Sequence, residues 1–144
     1  QKIMQEVKDK FWVIFFRRSM IKIANKIALS NKGAALVTGD AVGQVASQTL
    51  SNIRAISEAS TLPILRPLSG MNKEDIINRA REIGTYDISI EPYQDCCSFF
   101  VPAHPETKAK MFEIFKIDGN LDLDNVHQKA IKDLEVINYK YRGE

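Results

Sequence analysis

The residues best suited to chemistry are two adjacent cysteines, Cys96 and Cys97, and a set of polar side chains placed where short apolar runs end. A thiolate is a strong nucleophile. Neighbouring cysteines seldom close a disulfide because the geometry is strained, so a structural staple is not expected. With two cysteines in the chain, a zinc site of four thiolates is excluded. Reactivity and simple packing are the two remaining readings, and the lack of C-x-x-C spacing weighs against a redox protein. Residues 38–49 read TGDAVGQVASQT, with Gly39 and Gly43 after an apolar run. Glycine there lets backbone approach a ligand, and a helix starting at that point would favour an anion. The spacing is not the dinucleotide fingerprint and there is no phosphate-loop lysine, so turn formation is the competing role. Gln44 and Gln48 fall one helical turn apart, either as a pair of ligand groups or as solvated side chains. Arg17 and Arg18 close the apolar run 11–16, and a guanidinium suits phosphate. His104 and His127 lack a Cys or second His at metal-ligand spacing. This assigns His104 to a loop and His127 to the polar side of the last helix, with no metal site.

Those residues need a scaffold, and 144 residues suffice for one domain with at most a small appendage. Hydrophobic residues at 44% and charged residues at 26% exclude wholesale disorder and fibrous repeats. No apolar run approaches the ~20 residues of a membrane span, and no secretory signal is expected. Eight of the twenty Lys/Arg but two of the eighteen Asp/Glu fall in residues 1–32, so this segment carries +6 and the remainder −4. A basic segment can meet phosphates, although charge alone favours a solvated helix face. Residues 1–9 read as the end of an amphipathic helix. Residues 11–16, FWVIFF, are predicted to be a strand buried on both faces, with a helix from Arg17 to about Asn31. Residues 34–39 and 62–68 supply two further strands, and residues 42–56 a helix between them. Asn72 is the predicted N-cap of a helix over 73–83 that stops at Gly84. Residues 88–90 form a short apolar run before an irregular stretch that holds both cysteines. Pro105 is expected to open a helix to about Phe115, Asp118-Gly119-Asn120 a turn, and Asp124 or Asn125 to cap a final helix. The alternation predicts an α/β fold with a parallel sheet and helices on both faces, its ligand beyond the carboxyl ends of the strands.

Taken whole, residues 38–49 closely resemble the TGE-x-x-GQVASQT stretch of the tRNA 4-thiouridine synthetases, tRNA uracil sulfurtransferases also linked to thiamine biosynthesis. The resemblance continues through Arg17-Arg18, LRPLSGM at 65–71, IGTY at 83–86 and EPYQDCC at 91–97. It spans roughly residues 11–110, in order and at plausible spacing. Asp40 stands where the family more often has Glu, which keeps the carboxylate. The resemblance implies the adenine nucleotide alpha-hydrolase-like (PP-loop) fold: a partial parallel sheet lacking its first strand, with a helical C-terminal extension. Residues 1–115 would be the carboxyl-terminal portion of the ATP-pyrophosphatase domain and 116–144 the extension. Such enzymes attach AMP to the uracil oxygen of tRNA uridine 8, releasing pyrophosphate, and a sulfur nucleophile then displaces AMP. Arg17, Gly39 and Gln48 match ATP-contacting positions, and Cys97 matches the catalytic cysteine, with Cys96 a resolving or packing neighbour. ATP and Mg2+ are the implied cofactors. The implied partners are tRNA and a cysteine desulfurase or other persulfide donor, in the cytoplasm and away from membranes.

One departure is large. The family's pyrophosphate-binding loop, Ser-Gly-Gly-x-Asp-Ser, precedes the matched region, and this sequence contains no Gly-Gly. The chain also starts at Gln1 inside a predicted helix. It is therefore expected to be a piece of a longer protein, feeble in ATP binding and inactive alone, and without a rhodanese-type domain. An exposed sheet edge should pair with a second copy or with the missing amino-terminal part. The alternative is a non-catalytic nucleotide- or RNA-binding module on the same fold.

Overall fold

The computed structural model describes residues 1–93 and 102–140; Asp95, Cys96 and Cys97 lie outside the described residues. After the short helix α1 (Lys2–Glu6) and a single 3-10 turn at Asp9–Phe11, the chain enters α2 (Trp12–Ser30), the longest described element. Then follow β1 (Leu36–Val37), a 3-10 turn at Ala46–Gln48, α3 (Leu50–Ser57) and β2 (Ile64–Leu65). The remaining elements are α4 (Lys73–Glu82), α5 (Tyr86–Ser89), α6 (Met111–Asn120) and α7 (Asp124–Lys132). The two strands are parallel, with Leu36 opposite Ile64 and Val37 opposite Leu65. The result is an α/β fold around a small parallel sheet.

The predicted strand at residues 11–16 is a helix instead. Its buried positions Ile14, Phe15, Arg18, Ile21 and Asn25 recur at three to four residues, the period of one helix face, and continue straight through Arg17. A six-residue apolar run is too short to separate the two periods. The core forms where α2 meets α3: Ile14, Phe15, Ala55 and Ile56 are buried there, joined by Ile3, Val7, Ile114 and Leu121. Asn25, on the same face of α2, takes hydrogen bonds from Ser60 Oγ and the backbone N–H groups of Thr61 and Leu62, which fixes the entry to β2.

Two boundaries also move. The helix expected from residue 42 begins at Leu50, because Gly43 adopts φ +81° and Val45 is extended. Thr49 caps α3 by accepting from the Asn52 N–H at 3.3 Å. The helix expected from Pro105 begins at Met111 and runs through Asp118-Gly119-Asn120, the predicted turn. Where side chains cap the backbone, the expectation holds: Asn72 and Asp75 form a reciprocal capping box on α4, and Gly84 beyond its end adopts φ +72°.

Candidate functional site

The hub of the site is a carboxylate. Asp40 follows β1 by three residues and is 4% exposed. A buried charge must be paired, and the chain pairs it from both sides. Oδ2 accepts from Thr38 Oγ1 at 2.8 Å and from Arg66 Nε at 3.1 Å. Oδ1 accepts from Arg17 Nη2 and, at 3.5 Å, from Gln48 Nε2. Burial pushes the Asp40 carboxyl up, but the hydrogen bonds from Arg17 and Thr38, the Arg17 charge and the bond from Arg66 outweigh it. The group is held below the ordinary carboxylate value and stays ionised near neutrality.

Four elements supply these side chains. Arg17 comes from α2, not from a strand end as the sequence suggested, and reaches Ser47 Oγ at 3.2 Å as well as Asp40. Arg66 follows β2 and also donates to Ser57 Oγ on α3 at 2.7 Å, which ties the two strand ends to that helix. Gln48 sits on the 3-10 turn, so it is not one helical turn from Gln44; Gln44 is exposed. Two guanidiniums against one carboxylate leave the cluster a net charge of +1, which favours an anion.

Two details mark room for a ligand. Gln48 Oε1 is buried and has no hydrogen-bond partner among the described residues. A Cβ added at Gly39 would meet nothing within 4 Å, so glycine there is not demanded by packing. Beyond the same strand ends lies a cavity of about 480 Å³ between the loops that follow β1 and β2, lined by Gly43, Gln44, Ser69, Gly70 and Lys73 among others. Arg17 and Gln48 are brought together at Asp40, next to Gly39, although none of the three lines that cavity; Cys97 lies outside the described residues. The reading missed Asp40 and Arg66 as organisers. Both sat in the quoted motifs, and a charged residue within three positions of the end of a short strand was the available signal.

His127 corrects another expectation. It is 2% exposed rather than on the polar side of α7, with Nε2 3.0 Å from Ser19 Oγ. Burial, then the charges of Lys22 and Lys26, lower its pKa. Among the described residues no group of three or more His, Cys, Asp or Glu side chains could hold a metal ion. No described helix is long and apolar enough to cross a membrane.

The family model of the thiamine biosynthesis protein (ThiI) matches residues 1–123. A probable tRNA sulfurtransferase of Halothermothrix orenii is 43% identical over 141 residues, covering 96% of this chain and 36% of the relative. The corresponding protein of Thermus thermophilus is 42% identical, covering 98% of this chain and 35% of its own length. The chain thus spans about a third of the curated relatives it matches. Among solved structures, a 4-thiouridine synthetase–RNA complex with bound ATP superposes with a TM-score of 0.84 at 44% identity, over 92% of this chain and 34% of that one.

Proposed function

The chain belongs to the thiamine biosynthesis protein (ThiI) family, and we propose that it contributes the nucleotide-reading part of an ATP-dependent tRNA uracil 4-sulfurtransferase. One observation carries this reading: Arg17 and Gln48 converge on Asp40 beside the open face of Gly39, with a buried Gln48 oxygen left unpartnered. A buried acceptor without a donor is costly, and a nucleotide supplies donors through its exocyclic amine and ribose hydroxyls. Arg17, with spare guanidinium donors, suits phosphate. In the activity proposed, the uracil O4 of tRNA uridine 8 attacks the α-phosphorus of ATP and pyrophosphate leaves. A sulfur nucleophile then adds at C4 and AMP departs.

Cys97 is proposed as the catalytic sulfur carrier, supplied by a cysteine desulfurase or another persulfide donor. The relatives' names and the RNA- and ATP-bound neighbour support tRNA and ATP as ligands. Mg2+ is proposed to enter with the phosphates of ATP, since the ion is commonly held by one or two carboxylates together with substrate phosphates. Residues 1–115 are proposed as the adenylation portion and 116–144 as its extension. Pairing with a second copy or with the amino-terminal part of the enzyme, and a place in the cytoplasm beside tRNA, complete the reading.

The test is calorimetric ATP binding by the complete protein. Gly39→Val should abolish binding with an unchanged melting temperature, since the added side chain fills only open space. Arg17→Ala should cost a charge-assisted contact of about 1.5–3 kcal/mol, a tenfold or greater loss. ATP binding like the parent's in both variants would overturn the placement. ATP binding by a parent that cannot thiolate tRNA would leave a nucleotide-binding module instead.

A further inference from the structure

We propose that Asp40 is a positioning residue that fixes the amide orientation of Gln48, so that the pocket selects a ligand presenting a hydrogen-bond donor at that point. The inference rests on the reading of Arg17, Gly39 and Gln48 as a nucleotide site, and adds what that site discriminates.

The argument is one of donor and acceptor inventory. The two oxygens of Asp40 have separate tasks. Oδ2 is anchored by Thr38 Oγ1 and Arg66 Nε, and Arg66 is itself held by Ser57 Oγ. With Oδ2 fixed, Oδ1 points to Arg17 and to Gln48 Nε2. An ionised carboxylate accepts and never donates, so only the NH2 end of the Gln48 amide can face it. The carbonyl end must then turn away, and Oε1 is indeed the buried atom without a partner among the described residues. What fills that position has to donate. On a purine nucleotide, the 6-amino group of adenine and the ribose hydroxyls qualify, whereas a 6-oxo group presents an acceptor and is repelled. Arg17 does not set this polarity, because a guanidinium carries donors alone and bonds Asp40 whichever way the amide lies.

Asparagine at position 40 would remove the constraint. The Oδ1 position also accepts from Arg17, so an NH2 placed there turns Arg17 away as it faces Gln48 Oε1; the amide can then reverse and turn Nε2 toward the ligand, and the selectivity ratio rather than the overall affinity reports it. The experiment compares binding of ATP, inosine triphosphate, 2′-deoxy-ATP and 3′-deoxy-ATP to the complete protein by calorimetry. The parent should prefer ATP by about tenfold or more over the analogue that lacks the recognised donor. Asp40→Asn should shrink that preference to within about threefold, while Asp40→Glu, which retains the charge, should keep most of it. If the base amine is read, the inosine ratio collapses; if a hydroxyl is read, one deoxy ratio collapses instead. Gln48→Leu should erase the same preference, and Asp40→Asn added to it should change the ratio no further.

Should Asp40→Asn fail to fold, Thr38→Val, which removes one anchor of Oδ2, takes its place and should shrink the same preference, while Gln48→Leu tests only that Gln48 reads the ligand. Unchanged ratios in the variants, or additive effects of the two substitutions, would overturn the proposal. Failure of the parent to bind ATP, or intact binding by Gly39→Val, would instead sink the nucleotide reading on which it rests.

Discussion

A buried charge is useful only if its neighbours decide what it does. Asp40 is bonded on one oxygen by Thr38 and Arg66 and on the other by Arg17 and Gln48, the residues proposed to face the nucleotide. The carboxylate thus converts a fold contact into the orientation of an amide. At this scale the sulfur step also makes its prediction. In the complete protein, Cys97→Ser should lower tRNA thiolation at least a hundredfold while ATP-dependent adenylation of tRNA persists, because a hydroxyl cannot carry a transferable sulfur. Cys96→Ser should retain part of the activity. A reversal of that pattern in a thiolation assay would move the role to Cys96, and full activity of the double variant would remove it from both.

Among the elements, α3 is the one the site leans on. It is short, and its place depends on Asn52, which is fully buried. The Asn52 amide donates to Ala46 O at 2.8 Å and Glu106 O at 2.6 Å, and its oxygen accepts from the Ala109 N–H at 3.1 Å. This one side chain joins the Gln48 turn, α3 and the segment before α6. Asn52→Ala strands three backbone groups and should cost about 3 kcal/mol in urea unfolding. A loss below about 1 kcal/mol would mean that water or relaxation replaces those bonds. By contrast α4 has no buried residue, and its capping box is what defines its start. Its capping signals lie entirely in local sequence; α3 also has a local cap in Thr49, but apolar spacing that continues from Val42 hides that onset.

For the whole molecule, the buried and half-buried titratable groups set the acid limit. His127 has its pKa depressed below the ordinary 6.5 by burial and by Lys22 and Lys26. Asp40 and Asp118 are below the ordinary 3.8: burial opposes this in both, but Arg17, Thr38 and Arg66 at the first, and Lys22 and Arg18 at the second, outweigh it. All three shifts have one sign, so the unfolded chain binds more protons as pH falls. Stability should be greatest above pH 6.5, begin to fall below it as His127 charges only in the unfolded state, and fall again below pH 3.8. Urea midpoints measured against pH check this, and His127→Gln should remove the first decline alone. A midpoint that rises from pH 7 to pH 5 would contradict the assignment.

What the sequence by itself determined is whatever local chemistry enforces. Asn72 and Gly84 bound α4 through a side-chain cap and a positive φ, and the runs at 34–39 and 62–68 hold the two paired strands, which shorten to 36–37 and 64–65. The tertiary structure decided the rest. Residues 11–16 satisfy both a buried strand and a buried helix, and only packing of α2 against α3, with Arg18 bonded to Ala55 O, Glu58 and Asp118, selects the helix. His127 became buried because α7 lies against α2, where Ser19 waits for its ring nitrogen. The hub at Asp40 likewise draws on residues 23 and 26 positions away, Arg17 and Arg66. Periodicity and capping act over a few residues, so contacts made across such separations are set by how the elements pack.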